Sequence, residues 1–244
     1  MRLYDESITS FYDELKELPV RRLDVTQDAV SWNDTGDKNI ILRSDMAYEL
    51  GGGTLPALSS LSITDSKELV PEDEILLYGP DLPDIKEDTA YARLTFVRVK
   101  EESLGDGNQL YNAIRKIEYV RYHVNPDGFM IRISASNDRE PARVGTEALE
   151  NGLDFTKVGK VFLDAYHKNP NIEAVKLVFV TLPDYPYKEL ETRIKRNEQI
   201  TAAIDHIMKN VIMDCNACNL KQICDEVEGM KELHFGAAQE EVSK

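Results

Sequence analysis

Apolar positions recur along this chain at two spacings, and the spacings separate helices from strands. Ile8, Phe11, Tyr12, Leu15 and Leu18 share one face of an acidic amphipathic helix that should stop near Pro19. Residues 39–43 form a short apolar, strand-like run, and the Tyr48-Glu49-Leu50-Gly51-Gly52-Gly53 stretch then turns toward Pro56. Residues 74–78 read as a strand stopped by Gly79-Pro80. Residues 91–99 alternate polar and apolar side chains, the pattern of a long strand, and the glycines at 105 and 107 break it. Leu110, Ala113, Ile114, Ile117 and Val120 return to helical spacing over 109–122.

After the Asn125-Pro126-Asp127-Gly128 turn, Phe129, Ile131 and Ile133 alternate along a strand over 129–134. Asp154 is placed to cap a helix over 154–167, whose stripe is Phe155, Val158, Val161, Phe162 and Ala165. Residues 173–182 are the most apolar and valine-rich run, which predicts a central strand. A turn over 183–186 leads into a long polar helix over 187–213. A short final helix is predicted over 224–233, with acidic residues in its first turn, and a frayed tail from Gly236. Strands mostly separated by helices predict a mixed α/β (α+β) fold. The expected division is an N-terminal helix (1–28), a compact sheet-and-helix body (29–183), and a C-terminal helical arm that carries the cysteines (184–244).

Composition adds limits. At 244 residues, 42% apolar and 30% charged, the chain is long enough and apolar enough to bury a full core. A formal charge of −15 repels phosphate backbones and anionic lipid, so neither nucleic acid nor a membrane surface is an expected partner. The longest apolar run, 174–182, is interrupted by Lys176 and is too short to span a bilayer. Few cysteines and no apolar leader suggest a reducing cytoplasm. Residues 91–143 depart from the acidic background, with nine Lys/Arg against seven Asp/Glu, so an anionic small molecule would be sought there first. The Gly51-Gly52-Gly53 run lacks a G-x-G-x-x-G or G-K-[ST] frame, so a tight turn is a better reading than a nucleotide cradle.

The candidate chemistry lies at the C-terminal end. Cys215, Cys218 and Cys224 are the chain's three cysteines, and they fall within ten positions. An odd number of thiols so close together does not suit a disulfide framework, whereas a Cys-x-x-Cys pair with a third cysteine behind it suits a metal or an iron–sulfur cluster. Zinc would need a fourth ligand at a recognisable spacing, and a [4Fe–4S] cluster also takes four. With three cysteines, the fourth position falls to another residue, to a partner, or to an open iron. A redox-silent helical hairpin is the plain alternative. Of the dispersed histidines, His206 and His234 flank the run closely enough to reach it, although a surface position is the simpler reading for each; His167, near a helix end, reads as a dipole cap. Asp214, Asp225 and Glu226 beside the thiols predict a low reduction potential.

Four stretches, in order, resemble the middle domain of the acetyl-CoA synthase β subunit of the carbon monoxide dehydrogenase/acetyl-CoA synthase complex. They are Asp45-Met46-Ala47-Tyr48-Glu49-Leu50-Gly51-Gly52, Tyr78-Gly79-Pro80-Asp81-Leu82-Pro83-Asp84-Ile85, the Arg121-Tyr122-His123 region running into Phe129-Met130-Ile131-Arg132, and Val178-Phe179-Val180-Thr181. The resemblance places Cys215 and Cys218 on the family's first two [4Fe–4S] ligands, and Cys224 on a third by analogy. It implies coenzyme A binding through arginines of the basic segment, for which Arg93, Arg98, Arg115, Arg121 and Arg132 are the candidates, with Tyr122 near the family's tryptophan. It also implies a corrinoid iron–sulfur protein or a CO dehydrogenase-type partner, in anaerobic one-carbon metabolism. The family's nickel pair needs a Cys-x-Cys, which this sequence lacks. The expectation is therefore a cluster-bearing redox or interaction component. The rivals are an enzyme that uses an open cluster iron for acyl or methyl transfer, and a metal-free coenzyme A or corrinoid-protein adaptor. A homodimer would bring two three-cysteine sites together.

Overall fold

The structure is a computed structural model, and it describes residues 2–26, 40–104, 107–132, 139–208, 218–230 and 233. In chain order the elements are α1 (Asp5–Leu15), β1 (Arg21–Leu23), β2 (Met46–Leu50), β3 (Ala57–Thr64), β4 (Glu74–Tyr78), β5 (Tyr91–Val99), α2 (Gly107–His123), β6 (Phe129–Ile131), β7 (Ala142–Gly145), α3 (Thr146–Glu150), α4 (Phe155–His167), β8 (Ile172–Val180), α5 (Tyr187–Met208) and α6 (Lys221–Glu226). The fold is mixed α/β, as the sequence predicts.

Five strands form the main sheet in the order β1-β4-β8-β5-β3. The valine-rich β8 is its middle strand, parallel to β4 and antiparallel to β5. β3 runs parallel to β5 and forms an edge. The edge is covered on one face by α5, from which the Asn197 amide donates to Leu61 O at 2.7 Å and to Ser60 Oγ at 3.0 Å. α1 packs beside α5, with Phe11 and Tyr12 against Phe96 of β5 and the Tyr4 hydroxyl 2.8 Å from Thr201 Oγ1. On the opposite face lies α4, where Phe155 stacks on Phe179 and Phe162 lies under the Arg93 guanidinium. Asp154 caps α4 by accepting from Lys157 N at 2.8 Å. A second, antiparallel sheet, β2-β7-β6, flanks this three-layer body and touches it through a parallel bridge between Leu50 and Thr89. α5 and α6 share one apolar cluster with the sheet, through residues such as Leu190, Ile204, Ile223 and Met230.

Several elements differ from the sequence reading. Residues 40–43 are not a strand: Ile40 and Leu42 point to solvent, while Ile41 N donates to Met130 Sδ and Ile41 O accepts from Arg143 in place of a ladder. β1, β2, β3 and β7 were not anticipated. β5 is buried along its whole length instead of showing one face to water, because helices cover both sides of it. α6 starts three residues earlier than expected, so Cys224 lies inside the helix and its acidic residues fall at the end. The ends of the predicted strand 129–134 and of the predicted helix 187–213 lie outside the described residues.

Candidate functional site

The basic segment builds a buried ion cluster. Arg93, on β5, is 2% exposed, and Glu140, just before β7, is 5% exposed, so neither charge is solvated and each must be answered by protein. Arg93 Nη2 donates to Glu140 Oε2 at 2.8 Å, and Arg121 from α2 reaches Glu140 Oε1 through Nη2 at 2.7 Å and Nε at 2.9 Å. Arg121 Nη2 also donates to Ser59 O at 3.1 Å, and the Glu140 amide donates to Ala57 O at 3.0 Å, so both tie the cluster to β3. The Arg93 guanidinium lies 4.4 Å from the centre of the Phe162 ring. Burial by itself would raise the Glu140 carboxyl, but Arg93 and Arg121 outweigh it and hold the group below the ordinary glutamate range.

Arg121 leads from this cluster to the surface. It lines a cleft of about 300 Å³ between α2 and α5, with its guanidinium 5.1 Å from the Tyr122 ring centre. Arg115 lies on the same cleft and pairs with Glu118 at 2.9 Å and Asp205 at 3.4 Å. Glu118 lies beside these two guanidiniums on α2, and Glu198 and Asp205 line the cleft from α5.

The five candidate arginines therefore separate. Arg115 and Arg121 share the cleft, and Arg93 stands behind Arg121 on the common carboxylate. Arg98 is buried elsewhere, where it donates to Val70 O and Pro71 O and pairs with Glu173. Arg132 pairs with Glu49 at 2.5 Å on the flanking sheet, where Arg143 also approaches Glu49. Glu140, Ser59 and Asn197 organise this region and were not singled out from the sequence. A signal for β3 was available in its close-set serines, which as buried residues need partners.

The glycine run is a turn that gathers a cation. Gly51 N donates to Thr89 O, and Gly52 N to Glu49 O, so these amides are engaged within the fold. The carbonyls of Gly51, Gly53 and Leu55 instead converge on Arg139, at 2.7, 2.8 and 2.5 Å. A phosphate cradle presents amides, and this loop presents carbonyls. Gly51 has φ +69°, and a Cβ there would come within 2.2 Å of Ala57 Cβ and 2.9 Å of Ala57 Cα. Gly51→Ala is expected to destabilise the protein by about 2–4 kcal/mol, since left-handed strain adds to a clash with backbone. Urea unfolding measures it, and a loss within about 0.5 kcal/mol would contradict the geometry.

Cys218 precedes α6 and Cys224 sits in it, both half-buried. Leu220 N donates to Cys218 Sγ at 3.4 Å, while Lys221 N donates to Cys218 O and Cys224 N to Leu220 O. α6 is tied to α5 by Arg196 and Glu226 at 2.8 Å, and Ile223 is buried beneath it. Cys215 and His234 lie outside the described residues, and among the described residues no group of three or more His, Cys, Asp or Glu is gathered around one point. The donor chemistry nonetheless suits a thiolate-bound centre, because an amide aimed at a cysteine sulfur stabilises the negative charge that ligation requires.

The molecule is thus a three-layer α/β body with a small antiparallel sheet at its side, a buried arginine–glutamate cluster, and the short α6 with Cys224 tied to α5. A family model described as the CO dehydrogenase/acetyl-CoA synthase complex beta subunit matches residues 30–185, and the chain belongs to that family. No curated protein matches the chain. The matched segment runs from before β2 to the turn ahead of α5, so it contains the ion cluster and the glycine turn but ends before the cysteines.

Proposed function

We propose that this chain is an iron–sulfur-binding relative of acetyl-CoA synthase, with Cys215, Cys218 and Cys224 holding a [4Fe–4S] cluster. It serves as a redox or interaction component in anaerobic one-carbon metabolism, in the cytoplasm, beside a corrinoid iron–sulfur protein or a CO dehydrogenase-type partner. The observation that carries this reading is the Leu220 amide aimed at Cys218 Sγ, at the mouth of a helix that also bears Cys224. When bound, the cluster would supply one-electron transfer. The chain's own part is to fix Cys218 and Cys224 at and within α6, anchored by Ile223 and by the Arg196–Glu226 pair, and to donate a backbone hydrogen bond to the Cys218 sulfur. Asp225 and Glu226, at the end of the same helix, keep the potential low. The sequence has no Cys-x-Cys pair, so assembly of acetyl-CoA on a nickel pair is not assigned to these residues.

Coenzyme A would enter by the α2–α5 cleft, where Arg115, Arg121 and Tyr122 meet. Glu118, Glu198 and Asp205 face its phosphates there, so the cluster is the stronger reading. The test is anaerobic purification and reconstitution, with iron and sulfide counted per chain and an EPR spectrum of the reduced protein. About four of each, with a paramagnetic signal on reduction, is the expected result. A colourless protein with neither iron nor sulfide would overturn it.

A further inference from the structure

A second cleft, of about 580 Å³, opens between the glycine turn and the first turns of α5. A space of this size suits a small organic molecule. One wall is the chain entering β3, where Leu55, Pro56 and Leu58 line it. The other wall is one face of α5, on which Tyr187, Glu191, Ile194 and Glu198 stand three or four positions apart, with Lys188 and Lys195 beside them. Tyr187 is fixed there, its hydroxyl 3.3 Å from both Ala90 O and Val180 O, and Ile194 is buried. Apolar side chains thus come from both walls, and a strand and a long helix hold them in place.

The charges that line this cleft do not balance. Lys195 pairs with Glu191 at 2.7 Å. Glu198 lines this cleft and the α2–α5 cleft alike. Arg139 and Lys188 remain, and among the described residues neither pairs with a carboxylate. Arg139 is nonetheless held in one orientation, because the carbonyls of Gly51, Gly53 and Leu55 accept three of its five N–H groups. Neutral carbonyls orient a guanidinium without cancelling its charge. Three cations (Arg139, Lys188, Lys195) against two carboxylates (Glu191, Glu198) leave the cleft at +1, in a chain whose formal charge is −15.

We infer that this cleft is a binding site for an organic carboxylate with an apolar body, of the chemical class of a medium-chain acyl acid. The carboxylate meets Arg139 and Lys188 through charge-assisted hydrogen bonds, and the chain lies on Leu55, Pro56 and Ile194. A bare inorganic anion would leave the apolar walls unused, and an uncharged chain would leave two cations unanswered. Arg139 is already oriented by the turn, so little side-chain freedom is lost when the anion arrives. The inference stands apart from the cluster reading, since no cysteine lines this cleft.

The test titrates octanoate into the full chain, labelled with nitrogen-15, and follows the amide signals by NMR. The expected result is a saturable shift that is largest over 53–58 and 187–195. Octanol and octylamine keep the chain but lose or reverse the charge, and inorganic phosphate keeps a charge but has no chain; each should bind at least about tenfold more weakly. Arg139→Gln should abolish binding. Lys188 is exposed and Leu55 half-buried, so Lys188→Ala and Leu55→Ala should keep the fold, which circular dichroism checks. They should weaken octanoate by about threefold and about fivefold, and they decide the matter if Arg139→Gln unfolds. The inference is overturned by the absence of a saturable shift, by octanol or phosphate binding as tightly as octanoate, or by an affinity unchanged in both Lys188→Ala and Leu55→Ala.

Discussion

Glu140→Ala is expected to lower the free energy of unfolding by about 3–5 kcal/mol, the usual cost of leaving a buried charge without its counter-ion. Arg93 is 2% exposed and cannot rotate into water, and Arg121 meets Glu140 through two nitrogens. Denaturant unfolding measures the loss, and a change below about 1 kcal/mol would show that the cluster contributes little. Replacing the whole set with apolar residues of similar volume (Arg93→Met, Arg121→Leu and Glu140→Leu together) should recover much of the loss, because desolvation is then removed along with attraction. The same carboxylate sets an acid limb. Its folded-state pKa lies below the unfolded value, so its contribution is fully present above the unfolded glutamate pKa. That contribution is lost as pH falls through the lower, folded pKa. Stability measured against pH should therefore decline more gently below the ordinary glutamate range in Glu140→Gln than in the parent protein.

The parts of the fold that were legible are those in which one side chain answers its own neighbours. α4 announces itself through the Asp154 cap and the Phe155, Val158, Phe162 stripe, and β8 through a run of valines that only a middle strand can bury. β3 was illegible for the opposite reason. Ser59, Ser60, Ser62 and Thr64 break its apolar pattern, yet all four are buried, and the groups that satisfy them come from far along the chain. Asn197 answers Ser60 from α5, and Asp5 accepts from Thr64 at 2.7 Å. Arg93 was found as a residue but misplaced in role. Alternation along 91–99 suggests a half-exposed strand, whereas two helical layers turn its polar positions into buried ones. Its partner Glu140 lies 47 positions away in a chain with 44 acidic residues, so no local signal distinguished that carboxylate from the rest. The cysteines were conspicuous because composition alone isolates them.

Cys218→Ala is expected to abolish stable cluster binding while leaving the fold intact. Cys218 is half-buried at the entry to α6, and its backbone carbonyl, not its sulfur, accepts the Lys221 amide that opens the helix. Truncation to alanine therefore removes the proposed ligand and the weak N–H···S contact from Leu220 but leaves the backbone bond that opens α6. Ile223, Val227 and Met230 still bury α6 and the turn after it, and Arg196 still holds Glu226. Loss of an interaction that only orients a metal ligand costs about 10- to 100-fold in affinity, and loss of the ligand itself should cost at least as much. Iron and sulfide after anaerobic reconstitution should fall to background, and the EPR signal of the reduced protein should disappear. Circular dichroism and the urea midpoint of the metal-free protein should stay close to those of the parent. Cys224→Ala is the informative companion: it removes a thiol from inside α6, so an equal loss of iron would place both sulfurs on the cluster. Retention of full iron in Cys218→Ala would exclude the proposed ligand set, and an unfolded metal-free variant would reassign Cys218 to the packing of α6.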